Sequence, residues 1–268
     1  MSKVVLITGA SSGLGRATAQ YLVDQGFTVF GTSRNPDKYT DSFSFPLLPL
    51  EITDSKSIQK CVDEVLHKTG RIDVLVNNAG LGITGPMEEI EAQAVAANFA
   101  TNCFGPLQMA QAVLPFMRDQ KKGLIINITS IAGAMGLPFR GVYCASKSAF
   151  SIMTETLRME VKAFGIEVCT LAPGDYATDI ASRRYHAPVL KNSPYKALYQ
   201  HSLDTMDAHV DGGNASEEIA IAIAKIIQSK QTKVHYTQGP FMQKLSLLLK
   251  RLLPAKRFEQ LIMNHYKL

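Results

Sequence analysis

Val4-Val-Leu-Ile-Thr8-Gly9-Ala-Ser-Ser-Gly13-Leu-Gly15-Arg16 begins with a short aliphatic run, passes through three glycines, and leads into a helix-compatible stretch that reaches Val23. The order is strand, glycine turn, helix. Glycine permits a tight turn and a close approach of backbone to ligand. The helix that follows offers unpaired N–H groups and the positive end of its dipole, an arrangement suited to a pyrophosphate. A mononucleotide P-loop is disfavoured, because no Gly-Lys-Ser/Thr closes the pattern. Glycines that only punctuate a turn are the plain alternative, but this turn stands at the first strand-to-helix crossover of the chain.

Working outward, aliphatic or β-branched runs recur at Val4 to Thr8, Thr28 to Thr32, Asp73 to Asn77, Leu124 to Thr129, Glu167 to Leu171 and Lys233 to Thr237. Longer helix-compatible stretches separate them, which predicts βαβ units and a parallel sheet covered on both faces. Phe45-Pro-Leu-Leu-Pro-Leu50 is a seventh strand candidate whose prolines delete ladder donors and so place it at an edge. In the doubly wound order 3-2-1-4-5-6 the third strand is an edge strand. The fold class predicted is therefore α/β, a doubly wound seven-stranded parallel sheet with helices on both faces. Gly26 and Gly70 stand where helix C-terminal caps belong. Residues 175 to 214 form a long polar insertion with the expected role of a substrate lid, and residues 239 to 268 follow the last strand as an extension. The whole of 1–268 is expected to form one domain.

At the end of the second strand the chain reads Gly31-Thr-Ser33-Arg34-Asn35. An acid there would receive the ribose 2′-hydroxyl of NAD, whereas Arg34 would pair with a 2′-phosphate, which points to NADP(H). Arg16, in the first helical turn, is expected to stand near the same phosphate. Tyr143-Cys-Ala-Ser-Lys147 opens a helical stretch, so the phenol and the amine share one helix face. A phenol is a poor base at neutral pH, and a neighbouring ammonium favours its ionised form. Ser130 ends the strand thirteen residues upstream, placing a hydroxyl at the carboxyl edge of the sheet, where ligands of such folds bind. Each feature alone is weak: a Tyr and Lys four apart commonly decorate a helix surface, and a serine after a strand commonly caps a helix.

In combination and in this order, residues 3 to 180 resemble the short-chain dehydrogenase/reductase family. The matching segments are Thr8 to Gly15, Asn77-Asn-Ala-Gly80, Asn102 in Asn-Cys-Phe-Gly105, Ser130, Tyr143 with Lys147, and Pro173-Gly174 through Thr178. The resemblance implies Tyr143 as general acid/base, with Lys147 lowering its pKa and binding the nicotinamide ribose. It implies Ser130 orienting the carbonyl and Asn102 holding a relay water. Cofactor contacts are implied at Gly9, Ser11, Ser12, Gly13, Leu14 and Gly15 of the loop, and at Ser33 and Arg34. Further contacts are implied at Glu51 and Ile52, at Asn78, Ala79 and Gly80, at Tyr143 and Lys147, and at Pro173, Gly174 and Thr178. Glu51 departs from the aspartate usual in the family for the adenine amine, which leaves that contact to a repositioned side chain or to backbone. Cys144, beside the tyrosine, is expected to pack.

Hydrophobic residues make up 46% of the chain and charged ones 19%, an ordinary globular composition. The formal net charge of +5 belongs to the tail, where residues 230 to 268 carry eight Lys/Arg against Glu259 alone. No reading elements or stacking aromatics accompany that basicity, so nucleic acid is not an expected partner. Cys61, Cys103, Cys144 and Cys169 stand singly and the histidines are dispersed, so no metal site is predicted and free thiols are expected. With no secretory signal and no apolar run of about 18 residues, a cytoplasmic protein is expected. Asn127-Ile-Thr and Asn214-Ala-Ser then count as chance glycosylation patterns.

Ala132, Leu137, Pro138, Phe139 and Tyr176 are expected over the nicotinamide, with Ile180, Tyr185, Val189, Leu190, Leu198, Tyr199 and Leu203 in the lid. Such a wall favours a small lipophilic ketone or alcohol. The tail from Phe241 to Met263 mixes leucines with cations, broken at Pro254, a pattern for peripheral contact with a membrane surface or for packing on the body. Tail and lid resemble the branch containing hydroxysteroid and retinol dehydrogenases and 3-ketosphinganine reductases. That resemblance implies a homodimer or homotetramer through helices near residues 91 to 119 and 143 to 164. A nucleotide-sugar epimerase or dehydratase shares the loop and the Tyr-Lys pair but needs a larger C-terminal domain. A non-enzymatic NADP-binding regulatory module need not keep Ser130, Tyr143 and Lys147 together.

Overall fold

All four side chains of β1 (Val4–Ile7) are buried, as in a strand covered on both faces. After it come α1 (Gly13–Asp24), β2 (Thr28–Ser33), β3 (Leu47–Pro49), α2 (Ser55–Thr69) and β4 (Val74–Asn77). The middle of the chain forms β5 (Ile83–Thr84), α3 (Ala92–Phe99), α4 (Gly105–Asp119), β6 (Gly123–Ile128), α5 (Gly141–Val161) and β7 (Ile166–Pro173). β8 (Tyr185–His186), α6 (Lys196–Asp211), α7 (Glu217–Gln228), β9 (His235–Gln238), α8 (Phe241–Leu252) and α9 (Ala255–Tyr266) complete it. The computed structural model describes residues 2–39, 43–176, 184–189, 192–211 and 216–268.

The seven-stranded sheet runs β3-β2-β1-β4-β6-β7-β9, every neighbouring pair parallel. The doubly wound expectation is met, and the proline-bearing strand lies at the edge, where Pro49 removes no ladder bond. Period-two alternation divides the core. Leu6, Leu75 and Ile125 face α2 and α4 with Val62, Met109 and Val113. Val5, Ile7 and Val76 face α1 and α7 with Leu22, Ile219 and Ile223. Gly70, in the left-handed region at φ 70°, caps α2, and Asp54 caps its start by accepting from the Lys56 amide.

A buried polar ladder ties the central strands to α5. Asn77 Nδ2 donates to Asn127 Oδ1 at 2.9 Å, and Asn127 Nδ2 donates to Thr154 Oγ1 at 2.9 Å. Each member is buried, so each requires a partner. The order of strands reverses between β1 and β4, which opens a crevice at their carboxyl ends.

One feature went unread in the sequence. β5 and β8 pair in parallel as a separate small sheet, with the Tyr185 amide donating to Gly82 O and the Ala187 amide to Thr84 O, each at 2.9 Å. This pairing stitches part of the 175–214 insertion to the loop that leaves β4. The inner faces of α8 and α9, with Leu247, Leu253 and Phe258, pack on Ile131 and Met135 of the 3-10 turn after Ser130. Of the two readings of the tail, packing on the body therefore holds for its inner side. Among the described residues no helix is long and apolar enough to cross a membrane.

Candidate active site

The crevice is shaped by the loop that leaves β1. Gly9 and Gly13 have φ of 68° and 53°, a region open to glycine and costly for other residues. A Cβ on Gly15 would collide with the Gly9 carbonyl and the Asn78 amide, so α1 can start this close to β4 only without a side chain there. Thr8 Oγ1 accepts from the backbone N–H groups of Asn78 at 3.0 Å and Ala79 at 2.9 Å. Asn78 Nδ2 in turn donates to the carbonyls of Thr8 and Gly9. Thr32 Oγ1 accepts the Gly9 amide, which fixes the loop from the β2 side.

A cleft of about 600 Å³ lies over this loop and runs along the carboxyl ends of the strands. Of the predicted cofactor residues, Gly9, Ser11, Ser12, Gly13, Leu14, Ser33, Arg34, Glu51, Ile52, Asn78, Ala79, Gly80, Pro173 and Gly174 line it. Ser130, Tyr143 and Lys147 line its other end. Gly15 lies beneath the wall and acts through the close approach it allows. Thr178, like the lid residues Ile180 and Leu190, lies outside the described residues. A loop whose backbone would be crowded by any Cβ at Gly9 or Gly15, at the start of a helix facing the cleft, fits a dinucleotide pyrophosphate.

One expectation changes at this end, and two residues are added. Arg16 does not line the cleft: its guanidinium sits 5.1 Å from the centre of the Phe43 ring, a cation–π contact the sequence spacing does not show. Glu51 lines the cleft, and its Oε1 accepts from the Thr53 hydroxyl at 2.8 Å and from the Thr53 amide. Lys38 and Tyr39, unmarked by any motif, join Arg34 at the cleft wall, supplying a second cation.

At the other end Ser130 follows β6 and its Oγ accepts the Ala132 amide at 3.2 Å, capping the 3-10 turn. Its hydroxyl and the Tyr143 phenol line the same end of the cleft, where Ser130 favours the ionised phenol. Burial pushes the Tyr143 phenol above its ordinary pKa, opposed by the Arg140 guanidinium and then by Ser130. Lys147, 5% exposed, donates to Ile128 O at 2.9 Å, and burial lowers its ammonium to about 8. A protonated phenol, a hydroxyl at the same end of the cleft and an ammonium near its titration point can deliver a proton to a substrate oxygen and replace it. Cys144 is buried, with its thiol held up by desolvation, so it packs as expected.

Asn102 stands in a π-helical turn, Ala100–Phe104, between α3 and α4, a local distortion common at functional sites. Its Oδ1 accepts the Leu81 amide at 2.7 Å, and its Nδ2 donates to Leu81 O, Asn98 Oδ1 and Ser146 Oγ. Those bonds commit both side-chain hydrogens, so the side chain pins Leu81 beside the cleft.

The expected apolar wall is only partly in place. Ala132 and Leu137 pack into side-chain clusters, and the Phe139 ring lies 5.4 Å from that of Tyr199. Among the five, only Tyr176 lines the cleft, beside Ile83, Met206, Arg140, Asp175 and Arg184. The wall is therefore amphipathic. Among the described residues no group of acids, cysteines and histidines could hold a metal ion.

The short chain dehydrogenase family model matches residues 3–188, well over half the chain. The chain belongs to the short-chain dehydrogenase/reductase family. Across 98% of its length this dehydrogenase is 37% identical to a 3-ketodihydrosphingosine reductase of Bacteroides thetaiotaomicron, covering 98% of that protein. Human 17-beta-hydroxysteroid dehydrogenase type 1 is 32% identical over 92% of the chain and 80% of its own length. A solved short-chain dehydrogenase from Streptomyces avermitilis superposes with a TM-score of 0.80 at 29% identity, covering 100% of this chain and 96% of that one. The family is one of oxidoreductases that bind nicotinamide cofactors.

Lys147 yields a stability test with a definite sign. Its ammonium titrates lower in the folded chain than the ordinary 10.5, so at neutral pH the folded state carries a penalty of about 3 kcal/mol. Lys147→Met removes that penalty but leaves Ile128 O without its donor, a loss of about 1 kcal/mol. Urea unfolding at neutral pH should therefore find the variant more stable by roughly 1–2 kcal/mol, the gain shrinking as pH rises from about 8 towards 10.5. A variant less stable than wild type at neutral pH would contradict the burial penalty.

Proposed function

We propose that the protein is an NADP(H)-dependent oxidoreductase that interconverts a ketone and a secondary alcohol, working mainly as a reductase of a lipid-like ketone. The observation that carries this reading is the Ser130–Tyr143 hydroxyl pair at one end of a cleft whose other end carries Arg34 and Lys38. When bound, the nicotinamide supplies the hydride. Tyr143 gives its phenolic proton to the substrate oxygen, while Ser130 holds that oxygen and keeps it beside the phenol. Lys147, bonded to Ile128 O and near its titration point, binds ribose hydroxyls and returns a proton toward Tyr143. Arg34 and Lys38 bind the 2′-phosphate, which an acid at the end of β2 would repel.

The amphipathic wall favours a ketone with one polar end and an apolar body. Asp175, Arg140 and Arg184 suit a polar head, and Ile83, Met206 and Tyr176 suit the chain. The name of the Bacteroides relative, a reductase of a long-chain keto base, and that of the human steroid dehydrogenase both support an apolar ketone. We place the protein in the cytoplasm, as one domain in which 175–214 acts as lid. A homodimer or homotetramer is proposed through α4 and α5, where Ile152 and Met159 are exposed. α8 exposes Phe241, Met242, Leu248 and Leu252 beside Lys244, Lys250 and Arg251, and this outer face is proposed to rest on an anionic membrane surface.

Three measurements test the reading. Tyr143→Phe should lower kcat by at least about a hundredfold, the usual worth of a positioned acid, with NADPH affinity nearly unchanged; wild-type turnover by the variant sinks the role. Arg34→Glu should weaken NADPH by about tenfold or more relative to NADH, as expected for loss of a charge-assisted phosphate contact, and an unchanged ratio refutes the cofactor preference. Vesicles containing anionic lipid should sediment the protein in low salt and release it in high salt, with Leu248→Glu and Leu252→Glu reducing recovery. Full recovery in the supernatant removes the membrane surface from the proposal.

A further inference from the structure

Arg140 has no place in the motifs of the chain, yet it touches the residue on which the chemistry turns. As the residue preceding α5, it stands one helical turn before Tyr143, and its guanidinium carbon lies 5.3 Å from the centre of the Tyr143 ring. The buried hydroxyl of Tyr266, from the last turn of α9, faces the same guanidinium, which favours its ionised form. Tyr266 is 4% exposed, and its helix is anchored through Phe258 against Ile131 and Met135, in and after the turn that Ser130 caps. The C-terminal helix thus reaches the catalytic end of the cleft through one arginine.

We propose that Arg140 is the positioning residue that steers Tyr143 electrostatically and that Tyr266 holds it there, so that the docked α9 is part of the proton-transfer apparatus. The inference rests on the role given to Tyr143 above.

The charges facing Tyr143 can be taken element by element. From α5 come Arg140, Cys144 and Lys147. Cys144 is a buried neutral thiol, and Lys147 directs its ammonium to Ile128 O beneath Gly80. From the loop after β7 comes Asp175, whose carboxylate accepts from Gln243 Nε2 of α8 at 2.6 Å and whose backbone N–H donates to Gln243 Oε1. From α9 comes Tyr266, and from the end of β6 the neutral hydroxyl of Ser130. Burial and Asp175 both favour the protonated phenol, and the cation that counters them most strongly is Arg140. A guanidinium over a ring face in a desolvated site acts more strongly than the same pair in water. Arginine suits the place because its charge persists at every working pH and its planar fork can cover the ring and meet the Tyr266 oxygen together.

The test reads Tyr143 directly, through its ultraviolet phenolate absorbance during a pH titration, with the Tyr143→Phe protein subtracted. Arg140→Gln should move that titration up by about one pH unit, a tenfold change, and Arg140→Lys should return most of it. Tyr266→Phe removes one hydroxyl from a packed ring, keeps the fold, and should move the titration in the same direction by less. The alkaline limb of kcat should follow the same shifts, while KM for NADPH stays constant. A titration of Tyr143 that is unchanged in both Arg140→Gln and Tyr266→Phe overturns the proposal. If Arg140→Gln fails to fold, an unchanged Tyr266→Phe titration overturns it alone. Shifts of the expected sign in a protein that reduces no ketone uphold this inference and refute the proposed function.

Discussion

The close approach of the first glycine turn to the loop that leaves β4 is the constraint on which the site is built. Gly15 has no room for a Cβ between the Gly9 carbonyl and Asn78, and Thr8 Oγ1 draws the Asn78 and Ala79 amides onto the same spot. That junction places the start of α1 beside the cleft, and the strap continues from it. Leu81 is pinned by Asn102, Asn102 donates to Ser146, and Ser146 donates to the Tyr143 carbonyl. A hydrogen-bonded path thus joins the phosphate-facing loop to the helix that carries Tyr143 and Lys147. Buried polar groups must be paired, so this path is also what makes a polar seam through the centre of the protein tolerable.

Burial sets the chemistry at the far end. Tyr143 and Lys147 are both nearly inaccessible, and desolvation moves the phenol up and the ammonium down. Both shifts disfavour charge, so the site rests close to a neutral, protonated phenol, the form from which a ketone oxygen can be protonated. The cost appears as folding stability withheld by a buried cation, in keeping with functional sites that oppose the rest of the fold. The C-terminal helices pack from outside the sheet on Ile131 and Met135, in and after the turn that Ser130 caps, and bring Tyr266 towards Arg140.

Much of this was legible in order along the chain. The strands, the edge position of Leu47–Pro49 and the placing of Ser130 at a strand end follow from local periodicity, proline chemistry and parallel-sheet geometry. What failed did so where a side chain had a choice of partners. Arg16 has the spacing of a phosphate ligand, yet its guanidinium lies over the Phe43 ring and does not line the cleft. Ala132, Leu137 and Phe139 were apolar as read, but apolar groups are drawn first to one another, leaving Arg140, Asp175 and Arg184 on the wall.

The sequence by itself determined where the strands lie along the chain, the glycine turn, and the one-face pairing of Tyr143 with Lys147, because each depends on residues within a few positions of one another. Only the tertiary structure decided which charge meets which group. The pairing of Ile83–Thr84 with Tyr185–His186, the commitment of Asn102 to Leu81, and the contact of Tyr266 with Arg140 join residues 21 to 126 positions apart. No local periodicity encodes such contacts; they exist because the sheet and the helices around it bring those segments to the same end of the strands.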